Sequence, residues 1–406
     1  MQNKIGRFTK LYPWYSGLSG DLLFYIAIDT LFLTVVKNFS PSQIVFITSF
    51  SQFVCIALQF PLLFVIQRIG NTNSIRAGAF CLLLSSILIT VSKSFYLVLL
   101  GRVFHDVAAI LRTASFVALE NNLDLIDRRH DFVRLRTSAN TVYSVITMII
   151  SFVASLMFNL NPYLPMIGCI TTCATGFFLT LFMQDCSNYN KIPKKTQTGQ
   201  RIKIHYSKFI IMAIVVYAIF YPIVTTGQNE GKLFIQQNLL LEFNTENTSL
   251  ILGVMICISR IIRVFSNILF VRLYQQYQKK MGVVLPILLG CAIGFLLFGS
   301  YVPLVLGKII IMSTGYVIIL FVRDPFRVYM QDVIFENTPK EQHQTLLAVL
   351  EFGVKVGTAG MGLSFSAILL RFPMTLVMVL VFVIAVLEIL LSIKLYNIVC
   401  CAKTAE

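Results

Sequence analysis

Five ionisable residues stand in two stretches otherwise too apolar to hold them. Asp21 and Asp29 are eight residues apart, about 40° short of aligned after two helical turns, close enough to share a helix face. Arg102, His105 and Asp106 crowd into a second stretch, where the four-residue spacing of Arg102 and Asp106 lets them pair on a helix. Away from water the charged form of an aspartate is disfavoured, and a nearby arginine favours it again. Anything that changes that balance binds or releases a proton. The competing reading is a buried ion-pair network that only fixes packing.

A second group is suited to anions. Arg260 and Arg263 occupy one face of a later stretch, and arginine offers planar, bidentate donors for carboxylate or phosphate. Lys355 follows Glu351 by four and Lys232 follows Glu230 by two, so pairing of the arginines with Glu230 or Glu351 is the other reading. Asn140, Tyr143, Ser144, Thr147 and Ser151 recur every three or four residues and form one polar stripe on a helix. Glu351, Lys355 and Thr358 form another. The segment from Tyr217 to Gln237, with Gln228 and Glu230, is too polar to face lipid, and Pro222 and Gly227 permit a helix break there.

The elements that carry these residues are long apolar runs. Of 406 residues, 57% are hydrophobic and 13% charged, against about 25% charged in soluble domains. A bilayer core about 30 Å thick takes about 20 apolar residues per helix. Runs of that length cover 12–36, 42–66, 75–91, 95–118, 137–159, 164–183, 208–237, 249–270, 283–299, 304–328, 345–370 and 374–397. The formal charge of +15 invites a nucleic-acid partner, but roughly 23 of the Lys and Arg residues fall on one side of these spans and roughly 3 (Lys37, Lys93, Arg371) on the other. That asymmetry marks a cytoplasmic face with both termini on it, and the first run is too long for a signal-peptide core.

The second six runs echo the first. One constant offset places Arg112 on Arg323, Glu120 on Gln331, Asn140 on Glu351, Ser144 on Lys355 and Thr147 on Thr358. The expected fold is an all-α integral membrane protein of twelve transmembrane helices in two pseudo-symmetric six-helix bundles. Residues 1–187 form the N-terminal bundle, 188–207 a basic cytoplasmic linker and 208–406 the C-terminal bundle. Matching polar stripes in two repeats favour a shared cavity over simple interhelical bonding.

Two halves of six spans joined by a basic linker resemble the major facilitator superfamily over nearly the whole chain. Within Leu63 to Asn71, Arg68 and Gly70 match the family's loop between spans 2 and 3, with Gln67 in place of its acid. Gly101-Arg102-Val103-Phe104-His105-Asp106 resembles the span-4 motif with its membrane arginine, Asp106 standing where glycine is usual. The glycine-rich antiporter motif of span 5 is absent. The resemblance implies that spans 1 and 4 line one cavity, bringing Asp21 near Arg102 or His105. Span-1 acids with a span-4 arginine resemble the superfamily's proton-coupled exporters, implying Asp21 and Asp29 as proton carriers and Arg102 as their modulator, with His105 and Asp106 beside them. It also implies a substrate cavity holding Asn140, Tyr143, Ser144, Gln228, Glu230, Arg260, Arg263, Glu351 and Lys355. A cytoplasmic gate would comprise Arg68, Arg112, Glu120, Arg323 and Asp332, with Arg323-Asp324-Pro325-Phe326-Arg327 as a helix end.

The expected function is secondary transport of a small organic solute by alternating access, coupled to protons. Basic residues outnumber acidic ones within the spans, which leans the substrate towards an anion or zwitterion. A multidrug or amphipath proton antiporter and a lipid-headgroup flippase are the alternatives, and an intramembrane enzyme the remote one. Nucleophile motifs, zinc-ligand pairs and phosphate loops are missing, so neither enzyme activity nor a cofactor or metal is expected. Most cysteines lie in the spans without paired spacing, and for Cys169 and Cys173, one turn apart, buried small residues are the plain reading. Expected partners are the solute, protons and membrane lipids, with no nucleic acid. The expected setting is a monomer in the plasma (inner) membrane.

Overall fold

The computed structural model describes residues 2–186, 208–277, 280–338 and 343–404, so the proposed linker at 188–207 lies outside the described residues. Each of the twelve apolar runs falls on a helix or on a broken pair of helices. These are α1 (Gln2–Leu18), α2 (Tyr25–Leu31) with a π-helical turn at Phe32–Val36, α3 (Pro41–Ile69), α4 (Asn71–Val91), α5 (Phe95–Arg112) and α6 (Ala114–Asp124). They continue with α7 (Asp131–Leu160), α8 (Leu164–Leu181), α9 (Lys208–Glu242), α10 (Thr245–Tyr277), α11 (Met281–Gly299), α12 (Val305–Asn337), α13 (His343–Ile368) and α14 (Met374–Thr404). Among the described residues nine helices are long and apolar enough to cross a membrane. Helices dominate because backbone N–H and C=O groups in lipid must be satisfied within their own segment.

Four details differ from the sequence reading. The first run is not continuous: residues 19–24 leave the helix between α1 and α2. The fourth is interrupted by a turn at Thr113. The seventh runs unbroken as α9 through Pro222 and Gly227. Pro325 also lies inside α12 and is buried, so Arg323 to Arg327 is no helix end.

The described residues divide into two compact units. The first takes α1, α2, α4 to α8, Phe50 onward in α3 and Ser249–Cys257 of α10. The second takes Ser40–Ser49, α9, the remainder of α10 and α11 to α14. In the first, α4 packs on α5 and α8, and α1 on α7 and α8. Contact between α1 and α7 requires glycine: a Cβ at Gly17 would stand 2.8 Å from Val142 Cγ1, and one at Gly20 would strike the Tyr143 ring. The chain leaving α8 is knotted to α4 and α6. Asp185 Oδ2 accepts from Asn71 Nδ2 (2.7 Å) and Asn121 Nδ2 (3.1 Å), and Asn122 bonds both Gln184 O and Cys186 N. In the second unit, α11 packs on α12 and α14, while α9 meets α12, α13 and α14.

Lys37 follows the π-helical turn and is buried. Its Nζ donates to Thr90 O (2.7 Å) and Ser92 O (2.6 Å) at the end of α4 and stands 5.0 Å from the Phe32 ring centroid. A cation there satisfies carbonyls that a helix end leaves free. Burial, with Lys93 nearby, lowers its pKa from 10.5 to about 8. Between those values the unfolded chain binds more protons than the folded one, so stability rises with pH across that window. The expected result is a melting temperature that climbs from pH 8 to pH 10 relative to Lys37→Met, measured in one detergent. Parallel curves for the two proteins would remove Lys37 as the cause.

Candidate functional site

Where α1 ends, the freed carbonyls of Ser19 and Gly20 accept from Nη1 of Arg112 at the end of α5. Asp21 Oδ1 accepts from the N–H of Leu22 (2.8 Å). Non-helical backbone at membrane depth is tolerated where protein groups satisfy it in this way. The break therefore presents Asp21 sideways to α5, which sequence spacing along a continuous helix does not foresee.

On α5, His105 stands between two carboxylates. Its Nε2 lies 2.8 Å from Asp21 Oδ1 and its Nδ1 lies 3.1 Å from Asp106 Oδ1. Arg102 Nη2 reaches Asp106 Oδ1 at 3.9 Å, and the Arg102 charge also acts on Asp21, Tyr25 and Asp29. A neutral imidazole has one N–H and one acceptor nitrogen. Both contacts are hydrogen bonds only if the ring carries two N–H groups or one of the carboxyls keeps its proton. The arrangement thus calls for one proton more than a neutral ring and two ionised carboxylates carry. Cys169 and Cys173 of α8 lie within the field of Asp21. Asp29 sits beyond the break in α2, its Oδ1 accepting from the N–H of Thr30 (2.6 Å).

A cavity of about 210 Å³ opens beside Asp21, between α1, α4 and α5. The small residues Gly78, Ala79, Ala108 and Ala109 leave the room, and Arg112 lines the cavity with Asp21 and His105. Although Asp21 lies at the middle of the chain's first membrane run, 34% of its side chain is open, against 11% for His105 and 13% for Asp106. Arg112, expected as a gate residue, makes no ion pair with a carboxylate among the described residues. Glu120 instead pairs with Arg129 (2.7 Å), an exposed contact within the same unit. Arg68 lies in the last turn of α3. Tyr143 packs its ring on Gly20. Asn140 is exposed, Ser144 half-buried, and the hydroxyls of Thr147 and Ser151 bond back to carbonyls of α7.

In the second unit the basic residues gather on α10 and α12. Arg263 holds Asp324 bidentately, Nε to Oδ2 at 2.6 Å and Nη2 to Oδ1 at 3.1 Å. Arg323 donates to Gln228 Oε1 at 3.2 Å, its own carbonyl accepts from Tyr221 Oη at 2.7 Å, and it lies in the field of both Arg260 and Arg263. Arg260 Nε is buried with no hydrogen-bond partner among the described residues, and so is Gln228 Nε2. Three guanidinium groups thus share a region with Asp324. Glu351 accepts from Arg327 and from Tyr217 Oη (3.4 Å), Lys355 lies one turn beyond it on α13, and Asp332 accepts from Tyr274 Oη. Glu230 is buried, with Oε2 unpartnered.

Sequence reasoning missed two contributors and one further buried acid. Asp324 and Arg327 were set aside with the supposed helix end at Pro325. Glu388 lies in α14, buried, accepting from Ser392 Oγ at 3.2 Å through Oε1 while Oε2 has no partner. An acid within the most hydropathic span of the chain was the signal available for it. Among the described residues no cluster of three or more His, Cys, Asp or Glu is disposed to hold a metal.

No protein-family model matches the sequence, and no curated protein does. Solved structures do match across its length. A variant of the nucleoside transporter NupG superposes with a TM-score of 0.76 at 11% identity, covering 97% of this chain and 98% of that one. A bacterial homologue of the iron transporter ferroportin, in an inward-facing state, gives 0.69 at 10% identity over 96% and 98%. The D-xylose-proton symporter gives 0.67 at 14% identity over 95% and 97%. From its helices and these superpositions together, the chain has the fold of the major facilitator superfamily.

Proposed function

We propose that this protein is a secondary active transporter that moves a small organic solute by alternating access, with movement coupled to a proton at Asp21 and His105. The observation that carries the coupling is the imidazole held between two carboxylates, which needs one proton more than a neutral ring and two ionised acids supply. A transporter needs such a site to be reachable from water, and the open third of Asp21 supplies that access. Asp29, Arg102 and Asp106 set the charge around it.

The substrate carries an anionic group. Arg260, Arg263 and Arg323 outnumber Asp324 in their region, and a charge left uncompensated at membrane depth costs at least about 2.5 to 3.5 kcal/mol on insertion scales. Gln228, with a buried unsatisfied N–H group, adds a donor. Lys355 and Glu351 of α13 and Glu230 of α9 complete the proposed lining in this unit, and Asn140, Tyr143 and Ser144 are proposed as substrate-contacting residues of the first unit. Arg68, Arg112, Glu120, Arg323 and Asp332 retain a gating role in this reading only where the transport cycle brings them new partners. The protein works as a monomer in the plasma (inner) membrane with both termini cytoplasmic.

A thermal-shift screen of the purified protein against organic anions, organic cations and lysolipids tests the substrate class, because a ligand that binds only the native state stabilises it by mass action. Organic anions are expected to raise the melting temperature, by an effect lost in Arg260→Gln. Stabilisation by cationic or neutral amphipaths alone, dependent on Asp21, would replace this reading with a multidrug-type antiporter.

A further inference from the structure

The cavity of the first unit has opposite charges at its two ends. At one end Asp21 keeps Oδ2 free of hydrogen bonds among the described residues, since Leu22 N–H and His105 Nε2 both address Oδ1. Once the cluster has given up its extra proton, so that His105 is neutral and both acids are ionised, Asp21 and Asp106 against Arg102 leave one negative charge there. At the other end, seven residues and about 10 Å along α5, Arg112 brings a guanidinium without a carboxylate partner among the described residues. Only its Nη1 is committed, to the carbonyls of Ser19 and Gly20, which leaves donors on Nη2 and Nε. Membrane-embedded charges ordinarily pair with one another. These two are held apart by the cavity itself, with the small side chains of Gly78, Ala79 and Ala109 along its wall.

We infer that this cavity binds a small zwitterion of amino-acid size, with its ammonium on Asp21 Oδ2 and its carboxylate on Arg112. A lone amine would leave Arg112 uncompensated, and a lone carboxylate would face Asp21. The volume of about 210 Å³ falls below the roughly 300–1,000 Å³ of pockets for drug-sized ligands, which excludes large amphipaths. The inference rests on Asp21 as the coupling carboxyl: ammonium and proton compete for it, so one is taken up as the other leaves. The groups acting on Asp21 are His105 and Arg102 on α5, Tyr25 on α2, and Cys169 and Cys173 on α8, while Asp106 and Asp29 act on Arg102. The α4 wall at Gly78, Ala79 and Leu82 brings no charge.

The test is ligand binding by the full-length protein in nanodiscs, read as melting temperature and by calorimetry. The probes are glycine, β-alanine and γ-aminobutyrate, with butylamine and butyrate as the two half-molecules. One of the zwitterions is expected to bind where neither half-molecule does. Its Kd should rise by up to about ten-fold per pH unit as protons compete at lower pH. Binding should vanish in Asp21→Asn and also in Ala109→Leu, which fills the cavity while leaving both charges in place. Butyrate binding as well as the zwitterions, a zwitterion bound equally by Ala109→Leu, or no shift with any probe would each overturn the pocket. Loss of pH-driven transport in Asp21→Asn alongside any of these results removes the pocket and leaves the proton reading standing. Retention of both binding and pH-driven transport in that variant removes the two together.

Discussion

Asp21→Asn is expected to abolish accumulation of an organic anion driven by a pH gradient while leaving exchange of that anion, held near Arg260, intact without a gradient. Asparagine has the shape of aspartate and still presents an oxygen to His105 Nε2 and to the N–H of Leu22, so the break between α1 and α2 keeps its local bonds. What it lacks is the ability to take up a proton. His105 would then face one carboxylate, Asp106, and a neutral imidazole satisfies that arrangement with no extra proton. Coupling free energies between sites are typically about 1–3 kcal/mol, or roughly 5–150-fold in affinity, and a change of that size should disappear from the pH dependence of binding. The measurement uses proteoliposomes loaded with an organic anion that stabilises the protein. Uptake against an imposed pH gradient is compared with counterflow at equal pH. Wild-type accumulation by the variant under a pH gradient would end the assignment of Asp21. Loss of counterflow as well would mean that the carboxylate holds the fold or the substrate rather than the coupling proton.

The same residues show what a sequence can and cannot disclose about this molecule. Helix positions were legible because lipid imposes both length and apolarity; Asp21, Arg102 and Asp106 stand around His105, whereas Asp29 lies beyond the break. The break at Ser19 to Phe24 was not legible. It depends on Arg112, more than ninety positions away, donating to carbonyls that any continuous helix would have satisfied itself. Nothing about Gly17 and Gly20 distinguishes a packing contact from a broken helix until Tyr143 and Val142 are seen against them. Pro222 and Pro325 misled in the same way: one was read as permitting a break and the other as an end, and each lies inside an intact helix. A proline removes one backbone donor and crowds the preceding turn, but neighbouring helices and side chains satisfy the freed group. Tyr221 Oη, bonded to the carbonyl of Arg323, is one such contact between α9 and α12. Pairing between distant segments is the part that spacing cannot reach. Arg263 was read as free for substrate or paired with Glu230 or Glu351, whereas its carboxylate is Asp324, 61 residues along the chain.

That pair gives the second large expectation, because Arg260 and Arg263 should separate binding from stability. Arg263→Gln strands Asp324, whose two oxygens both accept from Arg263. Removing one partner of a fully buried ion pair costs about 3–5 kcal/mol. Here the side chains remain 29% and 26% open, so solvent screens the stranded charge and a loss of about 2 kcal/mol is the appropriate scale. Asp324→Asn in the same chain should recover most of that loss, since the charge that needed a partner is gone. Arg260→Gln strands no acid and removes a guanidinium whose Nε had no partner, so the melting temperature should hold while anion binding disappears. The arrangement of the region makes these outcomes differ: Arg323 is anchored by Gln228, Arg263 by Asp324, and the Arg260 Nε–H remains for a ligand. Melting curves of the four proteins, with and without a stabilising organic anion, separate the possibilities. Full anion stabilisation in Arg260→Gln would place the substrate's anionic group elsewhere. A double variant no more stable than Arg263→Gln alone would show that Arg263 contributes through packing of its stem rather than through the charge of Asp324.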